Sequence, residues 1–493
     1  MATAVVEERQ LLKSLRWWDG FTIAMCNPGF LFASLGFTLG IFGVWGSVIL
    51  WSVSAIIGWI LTWIYVEPAM MFPEKSGGIS VYANEAWRKY TTFVGPIAAF
   101  GYWIGWSVVL SIFGKIIGDL ITARWFPTST PWFDVGNVHF GLPHAIAIGV
   151  IVAVWAFNIF GIRPFKGFTY VTAGLLTIAL FALIVLPFVT GHWHSSNLHA
   201  TFTGPWGGTK QAFVYLFILA WSAWAAEVCA TFAPEYKTKT DAKIALRSSA
   251  AFVVGVFTLV PFALGGVTGV PSAASQEGQF YSTAFQKIAG NTVGTFFLIC
   301  LLASLVLSMC SSTADGGRAL YGISRAGMTI KQLGQLNRFH VPGRAMTVDL
   351  VVNVLLVLFI SSNLAILYMS NIGYVLAHLF AVSGFLLLRK DRPNWPRPVK
   401  LSTAWVWIAG FMTALVAFLL IVGAGAPHLN GYGTWTDFAI GVGVLVASVL
   451  LFIFRRLVQD KESVHLREHT PATPEEEAAM LGVESTPPAA LPA

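Results

Sequence analysis

Two short stretches of this sequence place polar chemistry inside apolar chain. The first is Cys26-Asn27-Pro28-Gly29, in the middle of GFTIAMCNPGFLFASLGFTLG. Pro28 has no backbone N–H and clashes with the preceding turn, while Gly29 accepts dihedrals that other residues avoid. A helix interrupted there frees carbonyls around Met25, Cys26 and Asn27. It also frees N–H groups from Gly29 and Phe30 onward, a half-helix N-terminus that attracts a carboxylate. A plain proline kink packed against neighbouring helices is the competing reading. The second stretch is FILAWSAWAAEVCATFAPEYK, with Glu227 near its centre. An ionisable group this deep in apolar chain is costly and usually faces a cavity, a partner or a proton path. A neutral Glu bonded to a neighbour's backbone is the alternative. Ser222, Ala223, Ala225 and Ala226 are small enough for another helix or a ligand to come close. This stretch has no Gly or Pro at its centre, so the sequence alone barely suggests unwinding.

Further polar groups are weaker candidates. The run Ser308-Met-Cys-Ser-Ser-Thr-Ala-Asp315 offers Ser312 and Thr313 as hard oxygen ligands for Na⁺, although such hydroxyls often bond back to their own helix. Trp106 and Ser107 fall near the middle of GYWIGWSVVLSIFGKIIGDL, where Lys115 and Asp119, four apart, can pair or snorkel. Glu67, and Asp315 with Arg318 three residues on, have the look of inner-gate ion pairs, and His378 that of a helix contact. His192, His194 and His199 share a loop without convergent spacing, and Cys26, Cys229, Cys300 and Cys310 have neither metal nor disulfide spacing. No metal or organic cofactor is expected. H⁺ or Na⁺ as a coupling ion is what these groups could hold.

The elements that carry these residues follow from composition. The chain has 493 residues, 56% apolar and 11% charged, with mean hydropathy +0.70. A soluble protein carries roughly 25% charged residues, so a water-facing surface of this size could not be covered. Soluble enzymes, disordered chains and nucleic-acid binders are excluded despite a net charge of +7. An all-α polytopic membrane protein is left, its lipid-facing spans about 20 residues long. About twelve such runs can be read: Gly20–Gly40, Trp45–Phe72, Val94–Thr122, Pro143–Phe160, Gly167–Thr190, Gln211–Ala233, Ala242–Val267, Gly294–Ile323, Ala345–Ile360, Leu364–Leu388, Thr403–Gly423 and Thr434–Phe454.

Charge tests that topology. With the N-terminus inside, the inward segments hold 26 of the 30 Lys and Arg; Arg124, Lys210 and Lys287 lie outward and Lys115 lies within a span. This is the positive-inside bias, and one span more or fewer would scramble it. The first apolar run is long and others follow at once, so no cleaved signal peptide is expected. Residues 1–19 are expected to be a cytoplasmic N-terminal segment, 20–456 the membrane domain and 457–493 a disordered cytoplasmic tail rich in Pro, Ala and Glu.

The chain resembles the amino acid–polyamine–organocation (APC) transporter family over nearly its whole membrane length. NPGF in the first span stands at the family's interrupted GSGIF. YVEPAMMFPEKSGGISVY resembles the acidic, FP and GG pattern after the second span. GGRALYGISRAG resembles the segment ending the eighth, and LLLRKDRPNWPRPVK the one following the tenth. Four such pieces in order, each on its expected side, make the resemblance specific.

The resemblance implies a five-plus-five inverted repeat (a LeuT-like fold), about 20–190 and 211–388, with two extra helices at about 403–456. Spans one and six would be the interrupted helices. Gly29 falls on the family's second glycine of the first break, and Trp221 on the gating aromatic six residues before Glu227. Departures are Pro28, which removes an N–H, Ala225 in place of a glycine, and Leu176 beside Thr177 where some proton-coupled members carry Lys.

The expected activity is secondary transport of an amino acid or related amine across the plasma (inner) membrane, as exchanger or H⁺-coupled carrier, with both termini cytoplasmic. A Na⁺-coupled symporter is the alternative, and a non-transporting sensor a further one. The substrate carboxylate would meet Gly29 and Phe30. Its amino group would meet carbonyls near Met25, Cys26 and Asn27 and around Ala220, Trp221, Ser222 and Trp224. Trp106, Ser107, Trp221 and Trp224 would shape the pocket, with Glu227 and Trp221 for proton coupling and gating. Expected partners are the small-molecule substrate and the bilayer, with a homodimer as an open arrangement.

Overall fold

A computed structural model describes residues 10–201, 208–272, 279–425, 433–469 and 471. The chain opens with α1 (Trp17–Ala24) and α2 (Asn27–Met71), separated at Met25 and Cys26. Apolar runs hold both as helices, and Pro28 at the start of α2 loses nothing, because the first N–H groups of a helix have no internal partner. Gly43 turns α2 back on itself with φ +65°, and a Cβ there would stand 2.3 Å from the His199 carbonyl oxygen. The reversal is confirmed by Trp51, whose Nε1 donates to Thr38 Oγ1 at 2.9 Å.

A short helix, α3 (Gly78–Trp87), precedes α4 (Val94–Ser107) and α5 (Val109–Trp125), which bend at Val108. A small hairpin follows, β1 (Phe133–Val135) and β2 (Val138–Phe140), antiparallel with Phe133 opposite Phe140. Then come α6 (Leu142–Ile159), α7 (Ile162–Ile184), α8 (Leu186–Val189) and α9 (Gly208–Ala223), the last running into a 3₁₀ segment, Ala225–Glu235. The remainder comprises α10 (Lys239–Thr268), α11 (Phe280–Arg325, reversing at Gly290), α12 (Gly343–Phe359), α13 (Asn363–Asp391), α14 (Ala404–Ala424) and α15 (Trp435–Phe454).

Among the described residues, ten helices are long and apolar enough to cross a membrane. The first of them, Trp17–Met71, has 55 residues and makes two crossings because of Gly43; α12, with 17 residues, adds one more. Twelve crossings result, as expected. The third and sixth spans are 89% buried, whereas the window in α6 is 22% and in α14 28% buried. Spans three and six therefore lie at the centre, with α6, α14 and α15 towards lipid.

The expected loose tail needs correction up to residue 469. Thr92 donates its N–H to Leu466 O and its hydroxyl to His465 O, at 3.0 and 2.8 Å. Glu468 pairs with Arg88 and, at 2.9 Å, with Arg456. A carboxylate that composition assigns to a solvated tail, Glu468, finds Arg88 and Arg456. The rest of the tail lies outside the described residues, as do residues 1–9.

Candidate functional site

The first-span break is shorter than a free half-helix end. Met25 N donates to Phe21 O at 3.0 Å, Cys26 N to Ile23 O at 3.2 Å and Gly29 N to Cys26 O at 3.1 Å. The Gly29 amide, expected to be open to an anion, is thus occupied by a tight turn. Asn27 Nδ2 donates to Ala24 O at 2.6 Å, leaving its buried Oδ1 unpaired.

Span eight approaches this break closely because Gly29 has no side chain: a Cβ there would lie 2.1 Å from Ser308 Oγ. Ser308 donates to Cys26 O at 2.7 Å and Ser311 to Ile23 O at 3.3 Å. The eighth-span hydroxyls touching first-span carbonyls are therefore Ser308 and Ser311, which share a helix face three residues apart. Ser312, expected to do so, is buried with an unpaired hydroxyl, and Thr313 bonds back to Met309 O at 3.0 Å.

The sixth span is interrupted in spite of its composition. Trp224 N still donates to Ala220 O at 3.1 Å, so that carbonyl is taken; beyond it the backbone winds as 3₁₀ for 11 residues. Runs of 3₁₀ beyond three or four residues are uncommon and mark hinges or functional sites. A tertiary cause is visible in α2, where a Cβ on Gly58 would stand 2.4 Å from Ala223 O and 2.9 Å from Trp224 Cα. The two interruptions touch: Ser222 Oγ donates to Phe30 O at 3.2 Å.

Aromatic rings close the space beside the breaks. Phe30 meets Trp221 at 4.8 Å, Trp106 at 5.3 Å and Phe113 at 5.5 Å, all edge to face. Trp221 is fixed by its indole N–H, which donates to Gly105 O at 2.7 Å. Ser107 does not join this group. It accepts from Asn353 Nδ2 of α12 at 3.0 Å, on another side of span three from Trp106.

Glu227 lies further along span six, fully enclosed. Its Oε1 accepts from the Tyr374 hydroxyl at 2.9 Å, and His378 Nε2 of the same helix stands 3.6 Å away. His378 Nδ1 and the Tyr65 hydroxyl are 2.9 Å apart. The Tyr374 ring stacks on Tyr102 at 6.1 Å, and Tyr102 donates to Asp315 Oδ1 at 3.1 Å. Two buried carboxyls are thus linked through two phenols. Tyr102 and Tyr374 were not singled out from the sequence, whereas Asp315 was expected in an inner-gate ion pair and His378 as a helix contact. The spacing of Tyr374 and His378, four apart on one helix face, was the signal available for that pair.

The charges nearer the inner face pair differently from the sequence spacing. Arg318 forms a two-nitrogen contact with Glu235, not with Asp315, with Nη2 3.0 Å from Oε2. Glu67 holds Arg389 at 2.5 Å and Arg397 at 3.0 Å. Lys115 donates to Ile360 O and Ser361 O at the end of α12. On the inner loop Glu85 meets Lys75 at 2.5 Å, Arg392 at 2.9 Å and Arg88 at 3.5 Å. Burial alone would raise the Glu85 carboxyl, but Lys75 and Arg392 outweigh it and hold the group below its ordinary 4.5. A cavity of about 380 Å³ opens beside this loop, lined by residues including Lys13, Glu74, Ser76 and Arg325. All four cysteines are buried and free, and no cluster of metal-ligating side chains occurs among the described residues.

Comparison with known proteins adds an independent finding. The amino acid permease family matches residues 15–450. An uncharacterized amino acid permease of Bacillus subtilis is 23% identical over 338 residues, 64% of this chain and 72% of that protein. A lysine-specific permease of Saccharomyces cerevisiae is 22% identical over 427 residues, 79% of this chain and 67% of that protein.

Proposed function

The chain belongs to the amino acid permease family, and from that premise we propose that it carries an amino acid or related amine across the plasma membrane by alternating access, as exchanger or H⁺-coupled carrier. The observation that carries this reading is the meeting of the two interrupted helices, with Ser222 bonded to Phe30 O. Irregular backbone at membrane depth is tolerated only where protein or a cavity satisfies it. A substrate carboxylate would replace Cys26 O as the acceptor of the Gly29 N–H, and the substrate's amino group would take carbonyls of the two breaks.

Phe30, Phe113 and Trp221 would close the site from one side. The inner-face ion pairs of Arg318 with Glu235 and of Glu85 with its cations would close the other. Opening either side breaks contacts that the other state keeps, which is what a two-state carrier requires. Both termini would be cytoplasmic, where the positive-inside bias puts them.

Glu227 is the group assigned to proton coupling. It is sealed from water in this state, with Tyr374 bonded to it, His378 3.6 Å away, and Asp315, Tyr65, Tyr82, Tyr102, Cys26 and Cys229 as further titratable groups around it. A Na⁺-coupled symport is the second reading, favoured by the hydroxyls of Ser308 and Ser311 beside the first-span carbonyls of Cys26 and Ile23.

Uptake of labelled amino acids into proteoliposomes of the purified protein tests both. Accumulation driven by a pH gradient and independent of Na⁺ is expected, with Glu227→Gln flattening the pH dependence. Na⁺-dependent, pH-flat uptake would replace the first reading by the second. Binding without any flux would make the protein a sensor.

A further inference from the structure

Three buried polar atoms around Glu227 have no hydrogen-bond partner: Glu227 Oε2, His378 Nε2 and Trp224 Nε1. Buried polar groups are nearly always paired, so a group of unpaired ones needs a cause. These three converge. His378 Nε2 stands 3.6 Å from Glu227 Oε1, and Trp106 lies against the same carboxyl. The Trp224 ring meets His378 edge to face at 5.4 Å. Trp224 and Glu227 are also three apart on a 3₁₀ coil, where such residues eclipse.

The charge balance is unusual. The charged neighbour that bears on Glu227 is Asp315, another acid. Arg318, the guanidinium in this half of the site, is committed to Glu235 and to Ala314 O. An ionised buried carboxyl without a cation is costly. A protonated nitrogen placed there would supply the cation that the ionised carboxyl lacks.

We infer that Glu227, His378, Trp106 and Trp224 form a subsite for a protonated nitrogen at the end of the substrate remote from its carboxylate. An ammonium has three N–H donors and no acceptor. Glu227 Oε2 accepts one of them. His378 Nε2 accepts another when Nδ1 carries the imidazole proton, which Tyr65 permits because its hydroxyl also lies 3.4 Å from His378 O. The rings of Trp106, Trp224 and Tyr374 provide faces that attract a cation, and the Trp106 N–H is a donor in reserve for the carboxylate.

The separation suits a long substrate. Phe30, at the first break, packs on Trp221. From Trp221 to Glu227, three α-helical and three 3₁₀ steps rise roughly 10 Å, about the reach of an amino acid with a four-carbon ω-amino side chain. The inference rests on the transport reading above and narrows it to substrates with a second positive nitrogen.

The test is equilibrium binding of three probes to the purified full-length protein in lipid nanodiscs: lysine, its uncharged isostere norleucine, and glutamine. Lysine is expected to bind at least tenfold more tightly than either of the others. In Glu227→Gln that preference should fall below threefold. His378→Phe, which keeps an aromatic ring, should cut the preference part-way. Should Glu227→Gln fail to fold, the parent ranking and His378→Phe still decide. Norleucine or glutamine binding as tightly as lysine would overturn the subsite and leave amino acid transport standing. Binding of none of the three would overturn the transport reading itself.

Discussion

Replacing Gly29 by Ala tests the joint between the first break and span eight with one methyl group. That methyl carbon would lie 2.1 Å from Ser308 Oγ, 3.0 Å from Phe113 Cε2 and 3.1 Å from Ser308 Cβ. Carbon contacts are comfortable at about 3.5–4.0 Å, so Ser308 must swing away and give up its 2.7 Å bond to Cys26 O. Overpacking of this kind costs about 1–3 kcal/mol. The lost hydrogen bond adds about 1 kcal/mol, towards the low end because Cys26 O keeps the Gly29 N–H. The closed arrangement is thus weakened by about 2–4 kcal/mol, which lowers substrate affinity roughly 30- to 1,000-fold if binding needs that arrangement. Adding Ser308→Gly removes both offending serine atoms and leaves the edge of the Phe113 ring, which can move. The double variant should therefore recover at least ~1 kcal/mol relative to additivity. Substrate affinity by scintillation proximity and apparent Tm in the same detergent are the measurements. Parental binding in Gly29→Ala, or strictly additive single and double variants, would refute the reasoning.

Trp221→Leu removes both the bond to Gly105 O and the ring on Phe30, so transport should fall at least tenfold. Trp59→Leu, in a tryptophan cluster at the lipid-facing edge, should change uptake less than twofold; equal effects in the uptake assay would reduce Trp221 to packing. Arg318→Met leaves Glu235 buried and unpaired, at a cost of about 3–5 kcal/mol, whereas Arg318→Met with Glu235→Gln should regain more than half of the lost Tm. Glu85 gives a pH-dependent stability. Because its folded value is depressed, its contribution is full above the unfolded value of roughly 4.3 and is lost as pH falls through the folded value. Thermal melts from pH 7 to pH 2.5 should show that loss in the parent, beginning only below about pH 4.3. In Glu85→Gln the melt should be lower at pH 7 by about 1–3 kcal/mol of stability, with a shallower fall towards acid.

Composition and residue order alone determined that this chain spans a membrane about twelve times and that its first span is interrupted beside Pro28, where the second helix begins at Asn27. These are local or additive properties: apolar length, charge at span ends, and a residue with no N–H beside one with no Cβ. The depth of Glu227 was equally legible, since a lone carboxyl in an apolar run has nowhere else to be. Tertiary structure decided what those residues meet. The sixth-span interruption depends on Gly58, more than 160 residues earlier, letting α2 press on Ala223 and Trp224. Glu67 finds Arg389 and Arg397, and Arg318 finds Glu235 rather than nearby Asp315, because partners for a buried charge are set by which helix faces meet. The same holds for Ser308 and Ser311, which face the first break, while Thr313 turns back onto its own helix. Helical periodicity says which residues share a face. Only the packing of one helix on another says what that face touches.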